Sequence, residues 1–275
     1  MQPLPEKPSG LPSYVKPILA FPDDTVKVSA VIITYNEAKN IRRTLAQLDW
    51  CDEVIVVDSF STDDTVAICR AFNCTVYLKK FEGHGAQRQY AVSKASYDWI
   101  LSIDADEVLS ETLFMEIAMA LRENPGYTGY RLARGLVFFD KEFLYGKESW
   151  RYSLRLFNKN YGSFTDSPDH AIVQLRGRAC KLRHKMLHYS CRDLFQWEEK
   201  YGHYPPLAAW KAVTKERNKR LLPVLLSLPF YFLKHYLLEL NFLNGARGFY
   251  WSTLKTWYRV IKHNKNNTAT CATEK

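Results

Sequence analysis

An apolar run that ends abruptly in carboxylates constrains this chain more than any other stretch. Trp99-Ile100-Leu101-Ser102-Ile103 leads straight into Asp104-Ala105-Asp106-Glu107. A run of that length and composition reads as a strand buried on both faces. Buried charge is costly unless it is paired or binds a metal, so the acids belong at the strand's end, on the edge of a sheet. Two carboxylates one residue apart at such an edge offer hard oxygen donors. Mg²⁺ and Mn²⁺ take donors of that kind, completed by water and phosphate oxygens. Taken alone, the same pattern also describes a strand end with solvated acids, and the rest of the chain has to separate the two readings.

Two further runs share its character. Val28–Thr34 is almost continuously apolar, and Glu53–Asp58 (Glu-Val-Ile-Val-Val-Asp) carries four apolar residues in a row. Between the runs the period changes: Ile41, Leu45 and Leu48 predict a helix over 37–48. Ser61-Thr62-Asp63-Asp64 has capping-box spacing and opens a helix to about Phe72. Cys74–Leu78 reads as a third strand, Gly85–Lys94 as a third helix and Asp98–Ile103 as a fourth strand. Strands alternating with such helices define an α/β class with a mostly parallel sheet and crossover helices. Ligands of such sheets sit beyond the carboxyl ends of the strands. The residues found there are Thr34-Tyr35-Asn36-Glu37, Asp58-Ser59-Phe60-Ser61 and Asp104-Ala105-Asp106, three polar clusters on one rim. That coincidence marks a site held by a rigid scaffold.

Beyond the acids, a helix is expected from Ser110 to about Glu123, a strand over Tyr127–Phe139 broken at Gly135, and a half-buried strand over 150–157. Asp166-Ser167-Pro168-Asp169-His170 reads as an acidic turn before the strand-like Ala171–Leu175. The absence of a Gly-x-Gly-x-x-Gly and of a P-loop lysine motif argues against a dinucleotide-dependent dehydrogenase or a kinase. The six cysteines show no Cys-x-x-Cys pairing, and the first 22 residues hold six prolines and no apolar leader core, so reduced thiols in a cytosolic protein are expected. Charge divides the chain more sharply than hydrophobicity does. Residues 1–175 carry 19 Lys/Arg against 23 Asp/Glu, and residues 176–275 carry 19 against 6. A basic, aromatic last third calls for an anionic partner, either a membrane surface or a nucleic acid.

The ordered motifs resemble those of family 2 glycosyltransferases. The residues that carry the likeness are Val31-Ile32-Ile33-Thr34-Tyr35-Asn36-Glu37, Val56-Val57-Asp58-Ser59-Phe60-Ser61-Thr62-Asp63 and Leu101-Ser102-Ile103-Asp104-Ala105-Asp106-Glu107. Gly83-His84-Gly85-Ala86-Gln87-Arg88-Gln89, Pro229–Lys234 and Gly245–Phe249 are similar to bacterial members that build the lipopolysaccharide core or a related surface glycan. The resemblance spans most of residues 28–262. It implies a GT-A (nucleotide-diphospho-sugar transferase) fold, a nucleotide-sugar donor (a UDP-hexose), a divalent cation (Mn²⁺ or Mg²⁺) and inversion at the anomeric carbon. On that implication Thr34, Tyr35, Asn36 and Glu37 line the base and ribose pocket with Ser59 and Gln87, and Asp58 accepts from the base's imide N–H. Asp104 and Ala105 lie near ribose and metal, and Asp106 is the principal metal ligand. Arg88 and Arg155 either hold phosphate or form surface salt bridges. His188 either joins the metal or is a satisfied core histidine.

An inverting transfer needs a carboxylate to take the acceptor's proton. Where the resemblance places that acid after a Val-His pair, this chain reads Pro168-Asp169-His170-Ala171. The catalytic base is then Asp169 through a local shift, or Asp166, or the enzyme is impaired; Asp169 is favoured. Leu221–Leu233 is apolar but interrupted by Pro223, Ser227 and Pro229, too short for a span of about 20 residues. Framed by Lys211, Lys215, Arg217, Lys219 and Arg220, it suits a helix lying in an anionic leaflet, or else a cover for the body through Leu225, Leu228, Phe232 and Leu237. Expected organisation is therefore a Pro-rich lead (1–26), a GT-A catalytic domain (27–192), a helical amphipathic, membrane-facing extension (193–262) and a disordered tail (263–275). The function expected is metal-dependent sugar transfer to a lipopolysaccharide-core or other lipid-linked glycan, peripherally at the cytoplasmic face of the inner membrane. The alternatives are a non-catalytic sugar-nucleotide- or membrane-binding member, and a nucleic-acid binder using the basic tail. A nucleic-acid partner is not favoured, because it leaves Asp104 and Asp106 unexplained.

Overall fold

β1 (Val28–Thr34) lies at the centre of the parallel half of the sheet, with Val28, Ala30, Val31 and Ile32 all buried. The computed structural model describes residues 26–166, 171–191 and 222–273. β1 pairs in parallel with β2 (Glu53–Asp58) on one side and β4 (Trp99–Asp104) on the other, and β2 pairs in parallel with β3 (Thr75–Leu78). Register sets Thr34 opposite Asp58 and Ile33 opposite Asp104, so the three polar strand ends share one edge. A strand with both faces covered needs apolar residues at every position. Here Ile32, Ile41, Leu45, Leu48, Cys69, Leu113 and Ile117 form one core face and Val31, Val57, Ala91, Val92, Ile100 and Phe157 the other. The first face is covered by α1 (Ala38–Leu45), α2 (Thr65–Ala71) and α4 (Glu111–Glu123), the second by α3 (His84–Lys94). Burying each such aliphatic side chain contributes about 1.5–3 kcal/mol.

Past Asp104 the sheet becomes mixed. Its order among the described residues is β3-β2-β1-β4-β8-β6-β11-β5, with β7 (Lys141–Glu142) on β6. β8 (Arg151–Asn158) inserts antiparallel between β4 and β6 (Gly129–Phe138). β11 (Ala179–Cys191) runs parallel to β6 and antiparallel to β5 (Glu107–Val108), and β9 (Gly162–Phe164) and β10 (Val173–Leu175) form a separate pair. The sheet is thus parallel as expected through β4 and alternates beyond it. Ser110 caps α4 by accepting from Leu113 N at 3.1 Å.

Two local expectations are corrected. Ser61 caps nothing; Asp63 does the work at that helix start, its Oδ1 accepting from Thr65 N at 3.0 Å. β6 runs unbroken through Gly135, whose missing side chain leaves room where a Cβ would lie 3.3 Å from Ser149 O. The sequence carries no expectation for β11; its pairing with β6 shifts register between Lys181 and Lys185, and Glu116 meets the backbone N–H groups of Arg183 and His184 there.

After the described residues resume, α5 (Leu222–Leu233) leads through a π-turn (Lys234–Leu238) and a 3₁₀ turn (Asn241–Asn244) into α6 (Gly245–Thr273). α6 continues through residues 263–273, where the sequence reads as a disordered tail. Extending a formed helix costs far less than starting one. Trp251, Leu254 and Trp257 of α6 pack on Leu136, Phe138 and Phe143. The contact is sealed by charge: Lys255 bonds Glu148 at 2.7 Å and Glu239 at 2.9 Å, and His235 reaches Glu239 at 2.9 Å. Backbones approach so closely that a Cβ on Gly248 would lie 1.7 Å from Asn241 O. No helix among the described residues is long and apolar enough to cross a membrane. The Pro-rich lead to residue 25 and residues 192–221 lie outside the described residues.

Candidate active site

The first wall of the rim is a loop latch built on Asp58. Its Oδ1 accepts from Ser61 N at 2.8 Å, and its Oδ2 from Thr34 Oγ1 at 2.8 Å and Ser61 Oγ at 2.5 Å. Ser61 Oγ in turn accepts from Asn36 N at 2.8 Å, and Asn36 Oδ1 accepts from Thr62 N at 2.8 Å. The two loops are therefore cross-laced, with Asn36 and Phe60 held at φ 52° and 63°. Gln87 ties α3 to the same loop, donating to Ser59 Oγ and to Lys79 O at 3.0 Å each.

Asp58 and Gln87 are fully buried, and Thr34 and Ala105 are nearly so. The Ala105 carbonyl accepts from Thr44 Oγ1 at 2.7 Å. The Asp58 carboxylate and the Gln87 amide nitrogen tie neighbouring loops together, while Gln87 Oε1 is buried without a partner among the described residues. For Asp58 to meet a base, Ser61 would have to give way. Tyr35 is the opposite case, 59% exposed on the rim beside exposed Asn36. Glu37 turns back to α1, its Oε2 accepting from Asn40 Nδ2 at 2.9 Å.

The second wall is a cluster of two carboxylates and three guanidiniums. Arg155 Nη2 donates to Asp104 Oδ2 at 2.8 Å and to Glu107 Oε1 at 2.7 Å, and Arg88 Nη2 pairs with Asp104 Oδ1. Glu107 is fully buried; its Oε2 accepts from the Asp104 backbone N–H at 2.9 Å, and Arg134 approaches its Oε1 at 3.4 Å. Burial would raise the Asp104 carboxyl, but Arg155 and then Arg88 outweigh it and hold that group well below the usual carboxylate range. Arg155, buried as it is, is kept charged by Asp104 and Glu107. Both arginines are therefore structural partners of the acids and not surface pairs. Each keeps a buried N–H without a partner among the described residues, Nη1 of Arg155 and Nε of Arg88.

Asp106 faces β11. Its carbonyl accepts from Tyr189 N at 2.8 Å, and its Oδ2 lies 3.4 Å from Nε2 of His188. β11 delivers that histidine opposite Glu107 of β5. Among the described residues no group of three or more His, Cys, Asp or Glu is placed to hold a cation by itself. A carboxylate and an imidazole at the end of a strand fit an ion whose remaining ligands are phosphate oxygens and water, the usual situation for Mg²⁺. Asp166 lies away from this pair, lining a cavity of about 340 Å³ with Gly85, Gln89, Tyr90 and Phe164. Arg88 joins the two places, its guanidinium 5.9 Å from the Phe164 ring centre. Asp169 lies outside the described residues. Arg134 and the bracing role of Glu107 had no sequence signal: Arg134 reaches the cluster only because β8 and β11 flank β6.

A parallel half-sheet carrying Asp104-Ala105-Asp106 at its carboxyl edge, backed by arginines, fits the GT-A arrangement that the resemblance of the motifs implies. The glycosyl transferase family 2 model matches residues 29–177, more than half the length, and the chain belongs to that family of enzymes. It is 30% identical over 248 residues to an uncharacterized glycosyltransferase of Rickettsia felis, covering 86% of this chain and 88% of that one. It is 28% identical over 231 residues to the lipopolysaccharide core biosynthesis glycosyltransferase LpsC of Rhizobium meliloti, covering 81% and 85%. Among solved structures, S. aureus TarS in complex with UDP-GlcNAc is similar at 26% identity and a TM-score of 0.34, over 41% of this chain and 35% of that chain.

Proposed function

We propose that this glycosyltransferase moves a hexosyl group, with inversion, from a UDP-sugar to a lipopolysaccharide-core or other lipid-linked glycan at the cytoplasmic face of the inner membrane. The observation that carries the donor half is the convergence of Arg88, Arg155, Asp106 and His188 on one strand end. The likeness to LpsC supports the acceptor class. Asp106 and His188 would hold a Mg²⁺ or Mn²⁺ ion, which when bound neutralises charge on the departing nucleoside diphosphate. Asp104 keeps Arg88 and Arg155 in place, and their unspent N–H groups are available to diphosphate oxygens as charge-assisted donors. Exposed Tyr35 offers a face for the base to stack on, while Asp58 fixes the loop that frames it. The acceptor hydroxyl gives its proton to a carboxylate of the acidic turn, Asp169 or Asp166; the latter has an aromatic-walled cavity at hand.

Donor hydrolysis tests this. The full chain is incubated with UDP-glucose, UDP-galactose, UDP-GlcNAc and GDP-mannose, with and without Mn²⁺, and released nucleoside diphosphate is assayed. Metal-dependent release from a UDP-sugar is expected. Absence of both release and calorimetric binding for every donor would sink the reading. Asp166→Asn and Asp169→Asn, assayed on a lipid-linked acceptor, then assign the base by which one loses transfer.

A further inference from the structure

The C-terminal helices leave an apolar face uncovered. Leu226, Phe230, Leu233 and Leu237 recur at spacings of four, three and four, which is one side of a helix, and they are 72%, 67%, 50% and 47% exposed. Leu238 beside them is 77% exposed. The opposite side is the one that packs: Phe232 meets Phe249 at 5.4 Å and Tyr236 at 5.3 Å between ring centres. The covering role expected of Leu225, Leu228 and Phe232 therefore belongs to that half-buried side, and Leu237 is on the uncovered one.

Three observations select what covers this face. Among the described helices, residues 222–259 hold four Lys or Arg and one acid. That acid, Glu239, is buried against Lys255, His235 and Lys147. A second copy of so basic a surface would repel it, whereas an anionic leaflet attracts it. Second, α5 at twelve residues is about 18 Å long, shorter than the roughly 30 Å hydrocarbon core, so its apolar face can lie in a leaflet and not through it. Third, the face is fixed relative to the site. Asn244 accepts from the backbone N–H groups of Leu144 and Tyr145 at 3.1 and 3.3 Å, and Trp251 packs on Phe138 at 5.2 Å. Phe138 is four residues, about 13 Å, along β6 from Arg134, which reaches Glu107 of the carboxylate cluster at 3.4 Å.

We propose that the Leu226–Leu238 face lies in the headgroup region of an anionic leaflet and sets the height of the Asp104–Asp106 cluster above it. An acceptor anchored by its lipid then presents its sugar to the cluster without leaving the bilayer. The inference rests on the lipid-linked acceptor reading and names the surface that reading needs.

The test is co-sedimentation of the full chain with phosphatidylethanolamine–phosphatidylglycerol vesicles and, separately, phosphatidylcholine vesicles. Leu226→Ser/Phe230→Ser is compared with Met119→Ser, an exposed position on α4. Wild type and Met119→Ser should bind the anionic vesicles, with at least about tenfold weaker binding for the double variant. Donor hydrolysis and melting temperature should stay unchanged in all three. Vesicle binding that the double variant retains overturns the inference while leaving membrane attachment standing. So does a lipid-free dimer of the wild type that the double variant dissolves, since a second copy is then the occupant. Binding to neither vesicle overturns it as well. Failure of donor hydrolysis in the wild type is a separate result and bears on the transferase reading alone.

Discussion

Asp106 and Glu107 are neighbours with opposite duties. Asp106 faces His188 at 3.4 Å and under the proposed function helps hold the metal, so Asp106→Ala should abolish metal-dependent donor hydrolysis with a fold that melts as the wild type does. Glu107 touches no expected ligand but is fully buried against Arg155, Arg134 and the Asp104 backbone. Removing one partner of a buried pair leaves an uncompensated charge and costs about 3–5 kcal/mol. Glu107→Ala should therefore lower the melting temperature strongly, and chemical denaturation beside Asp106→Ala separates the two duties. A wild-type melt for Glu107→Ala would show the cluster to be solvated after all. The strand end Asp104-Ala105-Asp106-Glu107 was legible as a site from the sequence, because an apolar run cannot end in acids without a reason. What was not legible is which acid is spent on arginine, since Arg88, Arg134 and Arg155 come from a helix and two strands distant in the chain.

Elements carry the site by register. Parallel pairing of β1 with β2 and β4 puts three polar loops on one rim, and alternation of buried runs with helices foretold that much. β11 brings His188 in, and its pairing with β6 shifts register between Lys181 and Lys185, which no pattern within the segment announces. The close packing of α6 on the 3₁₀ turn before it depends on Gly248, where a Cβ would meet the Asn241 carbonyl at 1.7 Å. A backbone carbonyl cannot swing aside as a side chain can. Gly248→Ala should cost about 3 kcal/mol and loosen the C-terminal helices, which limited proteolysis after residue 222 would register. Unchanged cleavage and stability would show that the 3₁₀ turn yields easily.

At the scale of the whole molecule, charge joins two parts of opposite character. Burial would raise Glu239, but hydrogen bonds from His235 and Lys255 outweigh it and bring the group from 4.5 to about 2. Glu148 is lowered in the same way against burial, by Lys255 and Arg151. A carboxylate lowered on folding adds stability that is complete above its unfolded pKa and lost as pH falls through its folded one. Docking of the C-terminal helices should therefore hold above about pH 4.5 and weaken between there and about pH 2. Fluorescence of Trp251 and Trp257 follows that loss, and Lys255→Met should remove the acid transition. If Lys255→Met titrates as the wild type does, these bridges do not hold the helices.

By itself the sequence determined the α/β class, the rim and its acids, the basic apolar tail and the family, because each is written in short-range periodicity or in an ordered motif. Tertiary structure decided the rest. It turned Asp58, Thr34 and Gln87 inward as braces, set Arg134 and Glu107 behind the acids, and chose which side of α5 is left bare. Each of those outcomes depends on residues far apart in the chain meeting at one place. Pattern within a segment fixes what a residue can do, and only packing fixes what it is near.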